Sequence, residues 1–216
     1  MRVISGTARG RKLKEPVGSE IRPTGDLVKE SIFNIIQFDV EGRRVLDLFA
    51  GTGQLGIEAL SRGAKSAVFV DSKPEAVMLI RENLRICGLT DSAVIHTRDV
   101  LRYLGSGHDA RYSQRESAEV RGTQRGKSPD RAFESEKFDI IFIDPPYSTD
   151  LAAETIQKII KFDNLDTNGI MICETSACSA LPDVAPPYIL QREYIYGKVK
   201  VARFTRGIQS ERQCFV

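Results

Sequence analysis

The run VLDLFAGTGQLGIEAL at residues 45–60 limits the fold more than any other stretch of the chain. Its first part is a short apolar run that suits a buried strand, and its last part spaces apolar residues as a helix does. Between them, Gly51, Gly53 and Gly56 form a G-x-G-x-x-G pattern. Glycines there let the backbone turn sharply and let a ligand approach the main chain. A strand passing into a helix through such a loop is half of a βαβ unit, and repeated βαβ units build a mostly parallel sheet covered on both faces.

The flanking sequence repeats this alternation. LGIEALSRGA reads as a helix stopped by Gly63, SAVFVD as a strand, and KPEAVMLIRENLRICG as a helix with proline in its first turn and Gly88 at its end. SAVIHTRD is a third strand, followed by a short helix over 100–104. FDIIFI, LAAETIQKIIKF and GIMICET continue as strand, helix and strand. YILQREYIYGKVKVARFTR reads as a terminal hairpin around YGK, adding an antiparallel edge strand. Ahead of the glycine loop, RPTGDLVKESIFNIIQF begins a helix that Thr24 or Asp26 can cap, with Val28, Ile32, Ile35 and Ile36 on its apolar face. RVISGTARGRKLKEP reads as two short strands around a turn. The expected fold is therefore α/β and Rossmann-like. It has a mostly parallel seven-stranded sheet, a C-terminal antiparallel hairpin, and a small basic N-terminal β-hairpin over 1–22 ahead of a main domain over 23–216.

One segment breaks the pattern. Residues 105–137 are polar, mixed in charge and nearly free of large apolar side chains. Such a stretch cannot bury enough surface to offset its ordering entropy, so it is expected to be a disordered insertion.

Charge bears on partners through its placement. The net charge is only +2, yet the first 14 residues hold Arg2, Arg9, Arg11, Lys12 and Lys14 and no acid. The end of the chain carries Lys198, Lys200, Arg203, Arg206 and Arg212 against Glu211 alone. Basic ends on a nearly neutral body point to a polyanion. The four cysteines show no C-x-x-C spacing and the histidines number two, so neither a zinc site nor a disulfide framework is expected. No apolar run reaches membrane-spanning length and no signal peptide is evident, so a cytoplasmic protein with no membrane partner is expected.

Acids recur at the ends of the expected strands. Asp71 lies 20 residues after Gly51, where a carboxylate can accept both hydroxyl hydrogens of a ribose. Asp47, four residues before Gly51, can face a cationic ammonium group, which S-adenosylmethionine has and NAD lacks. Asp99 can accept from an adenine amine; its bland alternative is a helix cap. The fourth strand ends in DPPY, Asp144, Pro145, Pro146 and Tyr147. The lone pair of a nucleobase amine is delocalised into its ring. Accepting its hydrogens at Asp144 and at the Pro145 carbonyl turns that lone pair towards an incoming methyl, and the rigid prolines hold the acceptors in place. Tyr147 can stack on the base. The second Pro–Pro–Tyr, at residues 185–188, follows alanine rather than an acid and no apolar strand precedes it, so it reads as an ordinary loop.

Together, RVISGTARGRKL, RPTGDLVKESIFNII, VLDLFAGTGQLGIEALSRGA, ENL and FDIIFIDPPY resemble the bacterial 16S ribosomal RNA guanine-N2 methyltransferases, in the same order along nearly the whole chain. The resemblance implies a class I methyltransferase fold and S-adenosylmethionine held by Asp47, Phe49, Gly51, Gly53, Asp71 and Asp99. It implies a guanine amine held by Asp144, Pro145, Pro146 and Tyr147. Arg22 and Thr24 match the RPT block near the active site, and Arg2, Arg9, Arg11 and Lys12 would meet RNA. The implied substrate is small-subunit rRNA in a 30S particle or an assembly intermediate, and the implied enzyme is a monomer without metal. The chain departs from the family at the 105–137 segment, and at Asp71, where Glu is more usual. A DNA amino-methyltransferase shares DPPY, but it needs a target-recognition domain that is not evident. A catalytically silent ribosome assembly factor would not need the intact loop and DPPY. A NAD oxidoreductase leaves DPPY unexplained.

Overall fold

The computed structural model describes residues 1–16, 25–105, 137–146 and 150–207. Its elements, in chain order, are α1 (Asp26–Ile35), β1 (Arg44–Leu48), α2 (Gln54–Ser61), β2 (Ser66–Asp71), α3 (Pro74–Cys87), β3 (Ala93–Thr97), α4 (Val100–Gly105), β4 (Phe138–Ile143), α5 (Leu151–Phe162), β5 (Leu165–Ser176), β6 (Tyr188–Tyr196) and β7 (Val199–Arg206). The strands form one seven-stranded sheet in the order β3-β2-β1-β4-β5-β7-β6. β3, β2, β1, β4 and β5 pair in parallel, and β7 pairs antiparallel with both β5 and β6.

The period-two pleat of each strand sorts its side chains into two cores. On one face Val45, Phe69, Phe142 and Ile172 pack with Ile32, Phe33, Ile57 and Ile80 from α1, α2 and α3. On the other, Leu46, Leu48, Val70 and Ile143 pack with Val100, Leu104, Ile156 and Ile159 from α4 and α5. Strands buried on both faces read as continuous apolar runs, which is why SAVFVD and FDIIFI stand out in the sequence.

The hairpin adds the expected antiparallel edge strand, which is β6: β7 inserts between β5 and β6. A hairpin signal specifies that two strands pair, not which of them meets the rest of the sheet. β7 carries the buried Val201, Ala202 and Phe204, whereas most of β6 is exposed, so burial puts β7 inside. Two expectations are amended. First, α1 is capped by Gly25 with no side-chain bond, and Asp26 is the first residue of the helix; Thr24 lies outside the described residues. Second, among the described residues the N-terminal strands shrink to one antiparallel bridge, Arg2 with Lys12. Val3, Ala8 and Leu13 of that segment join the same core as α1, α2 and α3.

The docking of this segment explains Gly6. Gly6 has φ of +82°, and a Cβ there would lie 1.7 Å from the Ser61 carbonyl oxygen. The last-turn carbonyls of a helix lack intrahelical partners. Here the Thr7 amide donates to Ser61 O at 2.8 Å, and the Ala8 amide donates to Ser61 Oγ at 2.9 Å.

Candidate active site

Parallel pairing brings four chain segments to one edge of the sheet. Leu48 sits beside Val70 and Ile143, and Asp71 beside Thr97. The residues that follow β1, β2, β3 and β4 therefore meet at the carboxyl edge. The strand order reverses between β1 and β4, and a crevice opens outside the strand ends at such a point.

The loop after β1 is held in an unusual shape. Phe49, Gly51 and Gly53 all have positive φ, at 59°, 55° and 77°. A left-handed phenylalanine is uncommon and persists only where its surroundings impose it. Those surroundings are hydrogen bonds. The Ala50 amide donates to Val70 O at 3.1 Å, and the Gly53 amide to Ala50 O at 2.7 Å. Asp71 Oδ2 accepts the Gly51 amide at 2.8 Å, while its Oδ1 accepts the Lys73 amide at 2.9 Å. Gly56 lets α2 lie close to the sheet, since a Cβ there would come within 2.3 Å of the Phe69 ring.

Asp47 lies beneath this loop and not on its open side. It is 1% exposed, and Oδ2 accepts the Gly56 amide at 2.8 Å. Burial, with a smaller push from Asp71, raises its carboxyl to about 8. Asp99 is exposed, and its Oδ1 accepts the Arg102 amide at 2.9 Å and so caps α4. Asp144 is half-buried just past β4, Pro145 is buried and Pro146 is exposed. Ile143 pairs with Cys173, which puts Asp144 next to β5, and burial, then the charges of Asp144 and Glu174, push the Cys173 thiol up. Tyr147, Arg22 and residues 106–136 lie outside the described residues.

The basic N-terminal segment adjoins the glycine loop. Thr52 Oγ1 donates to Met1 Sδ at 3.7 Å. Arg2, Arg9, Arg11 and Lys12 are exposed, and among the described residues none has a carboxylate at ion-pair distance. The segment is anchored by groups the sequence reading passed over. Glu58, fully buried, accepts the Ile4 and Ser5 amides at 2.8 and 2.9 Å and the Arg62 Nε at 2.9 Å. Lys29, also fully buried, donates to Arg2 O at 2.6 Å, with its Nζ 3.8 Å from Glu58; burial lowers its pKa against the pull of that neighbour. Asn83 bridges Lys14 and Thr52. The sequence signal for these was a charged or polar side chain at a position whose helical spacing puts it on an apolar face.

The crevice suits S-adenosylmethionine in its donor set. The carboxylate of Asp71 keeps lone pairs beyond the two amides it accepts, as vicinal hydroxyls require, and the backbone of the loop is shaped without side chains at Gly51 and Gly53.

Comparison with known proteins agrees with this arrangement. The model of the family described as "Conserved hypothetical protein 95" matches residues 1–113 and 108–205. The Bacillus subtilis protein named "Putative rRNA methyltransferase YlbH" is 37% identical over 206 residues, covering 95% of this chain and 99% of that protein. Ribosomal RNA small subunit methyltransferase D of Escherichia coli is 28% identical over 211 residues, covering 98% of this chain and 92% of the relative. Among solved structures, the Escherichia coli protein yhhF, described as a putative methyltransferase, has a TM-score of 0.73 at 29% identity over 97% of this chain and 99% of that one. A crevice built by a glycine loop and an acid–Pro–Pro turn, together with matches along nearly its whole length, makes this chain a member of the conserved hypothetical protein 95 family, to which these methyltransferase relatives bear the likeness.

Proposed function

We propose that this protein is an S-adenosylmethionine-dependent methyltransferase that modifies the exocyclic N2 amine of a guanine in small-subunit ribosomal RNA, acting as a monomer on a 30S particle or an assembly intermediate. One observation carries the reading: Asp144-Pro145-Pro146 and the glycine loop share a crevice whose neighbour is an exposed basic segment. The names of the relatives support RNA of the small subunit as the substrate class. The choice of guanine N2 rests on the resemblance of the motifs.

When bound, the cofactor supplies an electrophilic methyl carried on sulfonium. Asp71 would hold its ribose hydroxyls, and the backbone from Phe49 to Gly53 would line its course. Asp47 would act from below, as a buried carboxyl that fixes the loop through Gly56 and favours positive charge once ionised. Asp144 and the Pro145 carbonyl would accept the two amine hydrogens, leaving the lone pair free for in-line attack. Tyr147 would stack on the base. The methylated ammonium is acidic, so its proton can pass to Asp144 or to water without a strong base. Alignment then accounts for much of the rate. Arg2, Arg9, Arg11 and Lys12 would supply phosphate contacts.

The test uses labelled S-adenosylmethionine and small subunits from cells lacking the enzyme, with the modified nucleoside identified by mass spectrometry. Methyl on guanine N2 is expected. Asp144→Asn should lower turnover by about 10²–10³, the scale of removing one preorganised polar contact, with cofactor affinity retained. Label on a ring nitrogen, or none in RNA, overturns the reading.

A further inference from the structure

We propose that Asn83 is a positioning residue that couples the basic N-terminal segment to the cofactor loop, so that filling the loop orders the surface that meets RNA. Asn83 lies on α3 and is fully buried. Its Nδ2 donates to Thr52 O at 2.9 Å and to Lys14 O at 3.1 Å, and its Oδ1 accepts the Lys14 amide at 2.7 Å. Both amide hydrogens and the carbonyl are therefore used. One end of the bridge is the backbone of the glycine loop, between Gly51 and Gly53. The other is both backbone groups of the residue that closes the basic run.

Packing alone does not call for this residue. Leucine has the same branched outline and the same number of side-chain heavy atoms, and would suit the apolar face that α3 makes with Ile80 and Leu84. Burying a carboxamide is costly unless every polar atom is matched. Here the matches join two elements far apart in sequence. Glu58 and Ser61 also hold the segment, but to the body of α2. Asn83 holds it to a carbonyl of the loop itself. A ligand that fixes the loop fixes Thr52 O, which fixes the carboxamide and through it Lys14. Linkage makes the effect reciprocal: whatever orders the segment tightens the loop. The RNA half of this inference rests on the proposed function, whereas the cofactor half does not.

The experiment is amide hydrogen exchange on the whole chain with and without saturating S-adenosylhomocysteine. In the wild type, the amides of Val3, Gly10, Leu13 and Lys14, all hydrogen-bonded in the segment, should exchange about fivefold or more slowly when ligand is bound, the low end of ordinary coupling between sites. In Asn83→Asp, which keeps the oxygen facing the Lys14 amide but replaces the NH2 group, the loop amides should still slow and the segment amides should not. Asn83→Leu should behave the same way. Slowing of the loop with no change in the wild-type segment overturns the proposal without any variant. Equal slowing in wild type and both variants also overturns it and leaves Asn83 a core residue. In parallel, wild-type binding to undermethylated small subunits should tighten with S-adenosylhomocysteine, and the ratio should fall to one in Asn83→Asp. Absent subunit binding with the amide effect intact supports the coupling and sinks the RNA reading alone.

Discussion

The two ends of the chain are equally basic in sequence and opposite in use. At the N-terminus, Arg2, Arg9, Arg11 and Lys12 stand in water while the apolar residues between them go into the core. Near the C-terminus Lys200, Arg203 and Arg206 are struts. Lys200 pairs with Glu193 at 3.0 Å and donates to Ser179 O. Arg203 pairs with Asp39 and reaches Ile35 O, a carbonyl at the end of α1. Arg206 pairs with Asp163 at 2.9 Å and donates to Leu165 O at 2.6 Å. A polyanion can recruit the first set. The second set already holds carboxylates and carbonyls of the fold, and pulling it away would strip those groups of their partners. Charge composition therefore overstates the binding surface.

The comparison breaks most visibly if the first set is removed. Replacing Arg9, Arg11 and Lys12 together with alanine should weaken binding to small subunits by about a thousandfold, taking roughly 1.5 kcal/mol for each charge-assisted contact. The slope of log affinity against log salt should fall by about three, roughly one per cation. Melting temperature should hardly move, because all three are exposed. A fall in stability with unchanged affinity would reverse the assignment of the two ends.

Arg206→Ala should do the opposite. Losing the partner of the buried Leu165 carbonyl should cost about 1–3 kcal/mol of stability, read by urea titration, and leave the salt slope unchanged. Asp163 adds a pH signature. Burial pushes its carboxyl up, but Lys137, Tyr188 and Arg206 together hold it below the ordinary carboxylate range. Its stabilisation is present above that range and lost as pH falls below it. The gap between wild type and variant should narrow in acid; a gap constant with pH would mean that the ion pair contributes nothing.

A last test sharpens the contrast between charge in water and charge in the fold. Asp47, raised to about 8, is the extreme of the second kind. A carboxyl whose folded pKa lies above its unfolded value stabilises most at low pH, and that stability drains away as pH climbs from about 4 towards 8. Asp47→Asn can still accept the Gly56 amide but has no proton to lose. Its melting temperature, measured without ligand, should fall less than that of the wild type across this window. Parallel curves would show that Asp47 ionises freely beneath the loop.

Much of the fold was legible because its signals are local. Strand FDIIFI, strand SAVFVD and helix LAAETIQKIIKF occupy the residues that period and apolar content predict. Pro74 opens α3 and Gly88, in the left-handed conformation, closes it. Strand-end acids reach one edge because parallel pairing leaves no other place for them. Less could be read where the same residue satisfies two local rules. Asp99 can face a ligand or cap a helix, and its Oδ1 caps the helix that begins one residue later. Asp47 has the spacing of a ligand contact, yet the close approach of α2 puts it underneath.

By itself, the sequence determined the order of strands and helices, the glycine loop, the acid at each strand end and the acid–Pro–Pro turn, because each depends on the dihedral preferences and spacing of neighbouring residues. The tertiary structure decided that β7 lies inside the sheet, that Arg203 and Arg206 brace the fold while Arg9 and Arg11 face water, and that Glu58 and Ser61 tie the first residues to α2 while Asn83 ties them to the cofactor loop. Each of those outcomes turns on which polar group finds a partner when water is removed, and the partners lie tens of residues away along the chain.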